Sequence, residues 1–211
     1  QEVTSTPGVT ATLDGNDCVV MFTNVGSNSW TVPTGVNSIS VVIVGGGGGG
    51  GAWTGAGGGA GGVVARGDVF ETLSATSALT VIPETSYNLT VGDGGDGAIF
   101  VGTPLSNFTE GENGEPSTFG DLVAYGGGVG ASWSGADPQQ FANGGSSQIG
   151  SGGGATDSSD AGNVVGAGNS DSFTAVGGRG KDGGKSTFPQ GQPHPAGGGG
   201  GAGEDGKNPP D

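Results

Sequence analysis

Two short stretches of this 211-residue chain are built to receive chemistry rather than to perform it. Asn88-Leu89-Thr90 and Asn107-Phe108-Thr109 are both Asn-x-Thr sequons, in which an asparagine amide accepts an N-linked glycan. The first lies in "SYNLTV", a run with strand alternation. Tyr87, Leu89 and Val91 fall on one face of that strand, and Asn88 with Thr90 on the other, so Asn88 is expected to point outward. Asn107 falls in a loop-like stretch.

Residues suited to catalysis or metal binding are sparse. His194 is the single histidine, set between two prolines, and Cys18 is the single cysteine, so neither a metal set nor a nucleophilic triad can be assembled from them. "GGKSTF" (183–188) contains Gly-Lys-Ser, yet no strand precedes it and no helix pattern follows, so a phosphate loop is not expected. "GDGGDG" (92–97) has the look of a calcium-binding Gly-Asp repeat, but one copy makes no coordinating stack, and it reads as a turn between extended helices. Trp30, Trp53 and Trp133 are assigned structural roles. The expectation is a protein that is not an enzyme and carries no cofactor or metal.

Cys18 sits in "CVVMFT", an apolar strand pattern, and is expected to be a buried, inert thiol. Twenty acidic residues against five basic ones give a net charge of −15, which repels nucleic acid and anionic membrane surfaces. No run approaches the ~20 apolar residues of a membrane-spanning helix. The first residue is Gln1, which suggests a processed chain whose signal peptide has been removed and hence an extracellular location.

The elements that hold the sequons are of two kinds. Strand-like runs fill the first 125 residues: alternating Val9, Thr10, Ala11, Thr12 and Leu13, then "CVVMFTN" (18–24), "SWTVP" (29–33), "SISVVIV" (38–44), "VVARGDVF" (63–70), "ALTVIP" (78–83) and "SYNLTVG" (86–92). Between and after them lie near-contiguous glycine runs at 45–51, 57–62, 126–130 and 197–201. From residue 126 onward no strand pattern is convincing, and nowhere does a helical apolar period persist.

With 53 glycines and 11 prolines, about three tenths of the chain, disorder is the default reading. The irregular runs exclude collagen. A physical alternative exists. An extended left-handed helix with three residues per turn has no internal hydrogen bonds and points its N–H and C=O groups sideways. Packed side by side, such helices bond one another only if no Cβ holds the backbones apart, which demands glycine at nearly every position. The ordering cost, ~1–2 kcal/mol per residue and more for glycine, is then offset by bonds between helices. The expected fold class is mainly β and irregular: a small antiparallel β region feeding a bundle of polyglycine-II helices, without α-helix.

The phrase "FTNVGSNSWTVPTGVNSISVVIVGGGGGGG" followed by a glycine block, "LTVIPETSYNLTVGDGGDG", "GEPSTFGDLVAYGGG" and further glycine-rich segments resembles the glycine-rich domain family of phage tail-fibre adhesins and secreted or surface proteins. The likeness covers roughly residues 18–206. It implies a short β-sheet region feeding a stack of polyglycine-II helices. It also implies a closing strand of the form Gly-x-Val-x-Ile-x-aromatic, which "GGGGGAGEDGKNPPD" does not supply.

The expected organisation is an N-terminal arm (1–15), a β-rich part with the first glycine segments (16–125) and a glycine-rich part (126–211) packed with it as one domain. The arm has strand alternation and no obvious partner. Val9, Thr10, Ala11, Thr12 and Leu13 are therefore expected to fill the vacant sheet position of the next molecule, making the chain a self-polymerising subunit of a secreted, glycan-bearing filament. Rival readings are a receptor- or glycan-binding adhesin, using Ser132–Trp133 and Gln139–Phe141, and an ice-binding protein, for which threonine spacing is irregular.

Overall fold

The computed structural model describes residues 8–52, 55–67, 77–102, 107–132, 150–154, 180–183, 197–201, 205 and 207. Within them the chain is strand and irregular, with no helix. β1 (Val9–Asp14) and β2 (Asp17–Phe22) form a hairpin. β3 (Gly26–Thr31) pairs antiparallel with β8 (Ser86–Val91), and β11 (Ser117–Phe119) and β12 (Leu122–Ala124) complete a four-stranded sheet in the order β12-β11-β8-β3. β4 (Ser38–Ile39) pairs with β7 (Leu79–Thr80), β5 (Val41–Val44) with β6 (Val63–Arg66), and β9 (Ile99–Gly102) with β10 (Asn107–Thr109).

The run expected as one strand over 38–44 is broken at Ser40, because its two halves pair with different partners. The expected alternation in β8 is observed. Leu89 is buried, Tyr87 and Val91 pack on the core, and Asn88 is exposed.

The side-chain core is small. Ile43, Val64, Leu89, Phe119 and Ala124 are buried where β5 and β6 meet the four-stranded sheet, with Trp30, Tyr87 and Phe22 packed around them. Phe119 stacks on Tyr87 at 5.6 Å between ring centroids and meets Trp30 at 6.3 Å. At these spacings aromatic pairs contribute ~1 kcal/mol beyond the area they bury.

Five strands leave this core and continue as side-chain-poor segments without a slip in register. Val44 opposes Val63 in the β5–β6 ladder. Beyond it Gly45 donates to the Gly62 carbonyl (3.0 Å), Gly48 to Gly59 (2.8 Å) and Gly51 to Ala56 (2.9 Å). The ladder therefore changes from a strand pattern to one bond in every three residues. Each residue between those bonds turns to a different neighbour. Gly46 and Gly49 donate to Glu115 and Glu112, while the carbonyls of Gly47 and Gly50 accept from Gly95 and Ala98.

Three residues per turn is the period of the extended helix of polyproline and polyglycine II. None of the described glycines in these runs has positive φ, as the left-handed form requires.

The bonds arrange eight such segments in two rows. The first row runs 92–98, 45–52, 55–62, 197–201, and the second 111–116, 125–132, 150–154, 180–183. Segment 45–52 bonds to two neighbours in its own row and to two across. Segment 55–62 does likewise, through Gly59 to Gly128, Ala56 to Ala131 and Ser151 to Ala60 across the rows. These bonds tie residues beyond 125 to the earlier glycine runs in one packed slab.

A Cβ at Gly45, Gly48 or Gly51 would run into the carbonyls of Tyr125, Gly128 or Ala131. Gly47 and Gly50 lie on the outer face of the slab, where an added Cβ has its nearest neighbour at 3.7 and 3.8 Å. "GDGGDG" is itself one of the extended segments and not the expected turn. Asp93 and Asp96 project from it into solvent, and its backbone bonds to segments 45–52 and 111–116.

Candidate assembly and modification surfaces

All five residues expected to mediate polymerisation, Val9, Thr10, Ala11, Thr12 and Leu13, lie in β1. The expected unpaired arm has a partner in its own chain, β2. A two-residue turn, Gly15-Asn16, joins the strands inside the closing pair Asp14 and Asp17. Gly15 has φ +60°, as the first central position of a type II′ turn requires. A Gly-Asn pair between two alternating runs is a hairpin signal, and it was present in the sequence.

Pairing sorts the side chains onto two faces. Val9 with Phe22 and Ala11 with Val20 are half-buried against the body, whereas the last pair on that face, Leu13 with Cys18, is exposed. The opposite face, Thr10 with Met21 and Thr12 with Val19, is exposed throughout. Leu13 is 79% exposed, Met21 53% and Val19 49%, so the hairpin leaves apolar side chains in water on both faces. The expectation of a buried Cys18 is corrected here. Cys18 lies at the turn end of β2, away from Phe22, which packs on the core at the other end, so the thiol is free and exposed.

The hairpin also has a free edge. Thr23 donates to the Gly8 carbonyl (2.7 Å), a pair bonded to β2. Antiparallel alternation then bonds Thr10, Thr12 and Asp14 to β2 and turns the N–H and C=O groups of Val9, Ala11 and Leu13 to the other side. Among the described residues β1 pairs with β2 alone. Among the described residues β3 pairs with β8 alone, closes one side of the four-stranded sheet and leaves a second free edge. Both edges are six residues long.

Asn88 stands in the middle of β8, exposed, opposite Ser29 of β3. Asn107 opens β10 opposite Gly102, and its side chain lies outside the described residues. Also outside them are His194, Trp53, Trp133, most of "GGKSTF" and the Gln139–Phe141 stretch. Ser132, the one described residue of the adhesin candidates, is buried and accepts the Ala52 N–H on its Oγ (2.9 Å). Trp30 packs at the core from β3. Among the described residues no three His, Cys, Asp or Glu side chains gather into a metal-binding group.

Two features escaped the sequence reading. Val19 and Met21 belong to the apolar run "CVVMFT", and nothing local marks them as exposed. The outward residues of β3 and β8 were not seen to form one surface, because the pairing of strands more than fifty residues apart carries no local signature.

No curated protein and no solved structure matches the chain. The sequence profile of the glycine-rich domain matches residues 23–210, so the match begins just after the β1–β2 hairpin and takes in the four-stranded sheet and every described segment of the slab. The chain belongs to the glycine-rich domain family.

Proposed function

We propose that this chain is the structural subunit of an extracellular filament, polymerising head to tail by strand addition from its N-terminal hairpin. The observation that carries the reading is that hairpin. It projects Leu13, Val19 and Met21 into solvent and presents along one edge the backbone of Val9, Ala11 and Leu13, which has no partner among the described residues. A strand edge with exposed apolar side chains is a template for another chain, and proteins that stay monomeric blunt such edges. Here only Asp14 and Asp17, at the turn, carry charge.

The receiving position is the outer edge of β3 in the next molecule, equal in length to β1. Donor and acceptor are different surfaces of one chain, so the contact is heterologous and propagates without closing unless the rotation makes a ring. The slab suits such a role. Its backbone bonds recur along the central segments, and no metal-binding group or disulfide is found among the described residues.

Ala11→Pro separates strand addition from folding. The Ala11 N–H faces away from β2, so proline leaves the β1–β2 ladder intact but removes a donor from the free edge, a place where edge strands tolerate proline. The expected result is a folded protein that sediments as a monomer and shows no fibres by negative-stain microscopy, as does a chain lacking residues 1–13. Fibres of undiminished length in both variants would overturn the strand-addition reading.

A further inference from the structure

The outer face of the four-stranded sheet differs in chemistry from the rest of this acidic molecule. Pairing of β3 with β8 sets Ser27 opposite Thr90, Ser29 opposite Asn88 and Thr31 opposite Ser86. β11 adds Thr118 beside Thr90. All of these alternate with inward residues of the core, so they share one face, and none is charged. Ser27, Ser29, Thr31, Ser86 and Asn88 are exposed, and the Thr31 hydroxyl donates to Ser86 Oγ at 3.3 Å. Asn88 sits at the centre. Its backbone carbonyl accepts from Gly120 (3.2 Å), while its side-chain amide makes no hydrogen bond among the described residues.

We infer that Asn88 carries an N-linked glycan whose first sugars lie on this hydroxyl face. Three observations converge. Asn88 and Thr90 form a sequon, the amide is free and outward in the folded sheet, and the surrounding side chains are short, neutral and hydroxylated. A neutral sugar can exchange hydrogen bonds with serine and threonine hydroxyls without displacing a charge, and short side chains leave room for it to lie flat. A glycan here needs no unfolding to be accommodated, because Asn88 is exposed while its neighbour Leu89 takes the inward, buried position.

In the transfer the amide nitrogen of Asn88 attacks the anomeric carbon of a polyprenyl-diphosphate-linked saccharide. The N–C bond forms as the C–O bond to diphosphate breaks, the diphosphate leaves with the electron pair, and the amide proton passes to a base of the transferase. The inference is independent of strand addition, since Asn88 lies in the middle of the sheet and not on its β3 edge.

The test uses the full chain secreted from eukaryotic cells, with intact mass measured before and after peptide-N-glycosidase treatment. Wild type is expected to lose one glycan mass at residue 88, leaving Asp there. Asn88→Gln is expected to lack that mass while keeping the wild-type circular dichroism spectrum, and Asn107→Gln to retain it. A wild-type mass equal to the bare chain, or an Asn88→Gln variant with the full glycan mass, overturns the assignment. Seating on the face is read from the release rate under native conditions. Ser27→Ala/Ser29→Ala/Thr31→Ala is expected to release the glycan several-fold faster, and an unchanged rate overturns the seating.

Discussion

The sheet end and the glycine slab of this molecule are packed by opposite rules. At the sheet end, cohesion comes from a few large side chains, Phe119, Tyr87, Trp30, Leu89 and Ile43, gathered where strands alternate inward and outward. In the slab side chains are few and small and the backbone itself makes most of the core, every described segment except 180–183 bonding two or more neighbours. One region is stabilised by what its residues add, the other by what they lack. The same chain passes between them without changing register, as the β5–β6 ladder shows where Val44 and Val63 give way to Gly45 and Gly62.

Phe119→Ala removes the ring that both Tyr87 and Trp30 pack against, and should cost about 4 kcal/mol in chemical denaturation, as truncation of a buried aromatic does. Gly48→Ala should cost about 3 kcal/mol although it adds a single methyl, because that Cβ would strike the Gly128 carbonyl and backbone must move to admit it. If both losses are of this order, one methyl in the slab weighs nearly as much as one phenyl in the sheet. A negligible loss at Gly48 would mean that the slab is not close-packed.

Gly50→Ala should do the reverse, raising the denaturation midpoint by the equivalent of about 0.5 kcal/mol. Its φ is not positive and an added Cβ meets only the Ala56 carbonyl at 3.8 Å, an ordinary contact, so alanine chiefly reduces the freedom of the unfolded chain. Equal responses at positions 48 and 50, two residues apart, would rule out a three-residue period there.

The same contrast explains what could be read early and what could not. The alternation of Tyr87, Leu89 and Val91 against Asn88 was legible because side chains of opposite character carry the period-two signal themselves. A glycine run has no such signal. Gly45 to Gly51 could be recognised as a packed extended segment, but which residue faces which neighbour was not written locally, since every position is chemically the same. The break at Ser40, the exposure of Cys18 and the role of "GDGGDG" were misjudged for a related reason. Each depends on the partner the segment finds, and apolar runs in a hairpin that stands off the core look like core strands.

Taken alone, the sequence determined the kinds of segment: strands where bulky and polar residues alternate, three-fold extended backbone where side chains are missing, no α-helix, and a negative surface. Those outcomes follow from sterics and hydration that act within a few residues. The tertiary structure decided the neighbours: the two-row order of the slab, the pairing of β1 with β2, and the face on which Asn88 meets Ser29. Such pairings join residues as far apart as Ala60 and Gly200, and backbone groups are identical donors and acceptors everywhere. For the five runs that continue from strands, the side chains those strands place in the shared core fix the register.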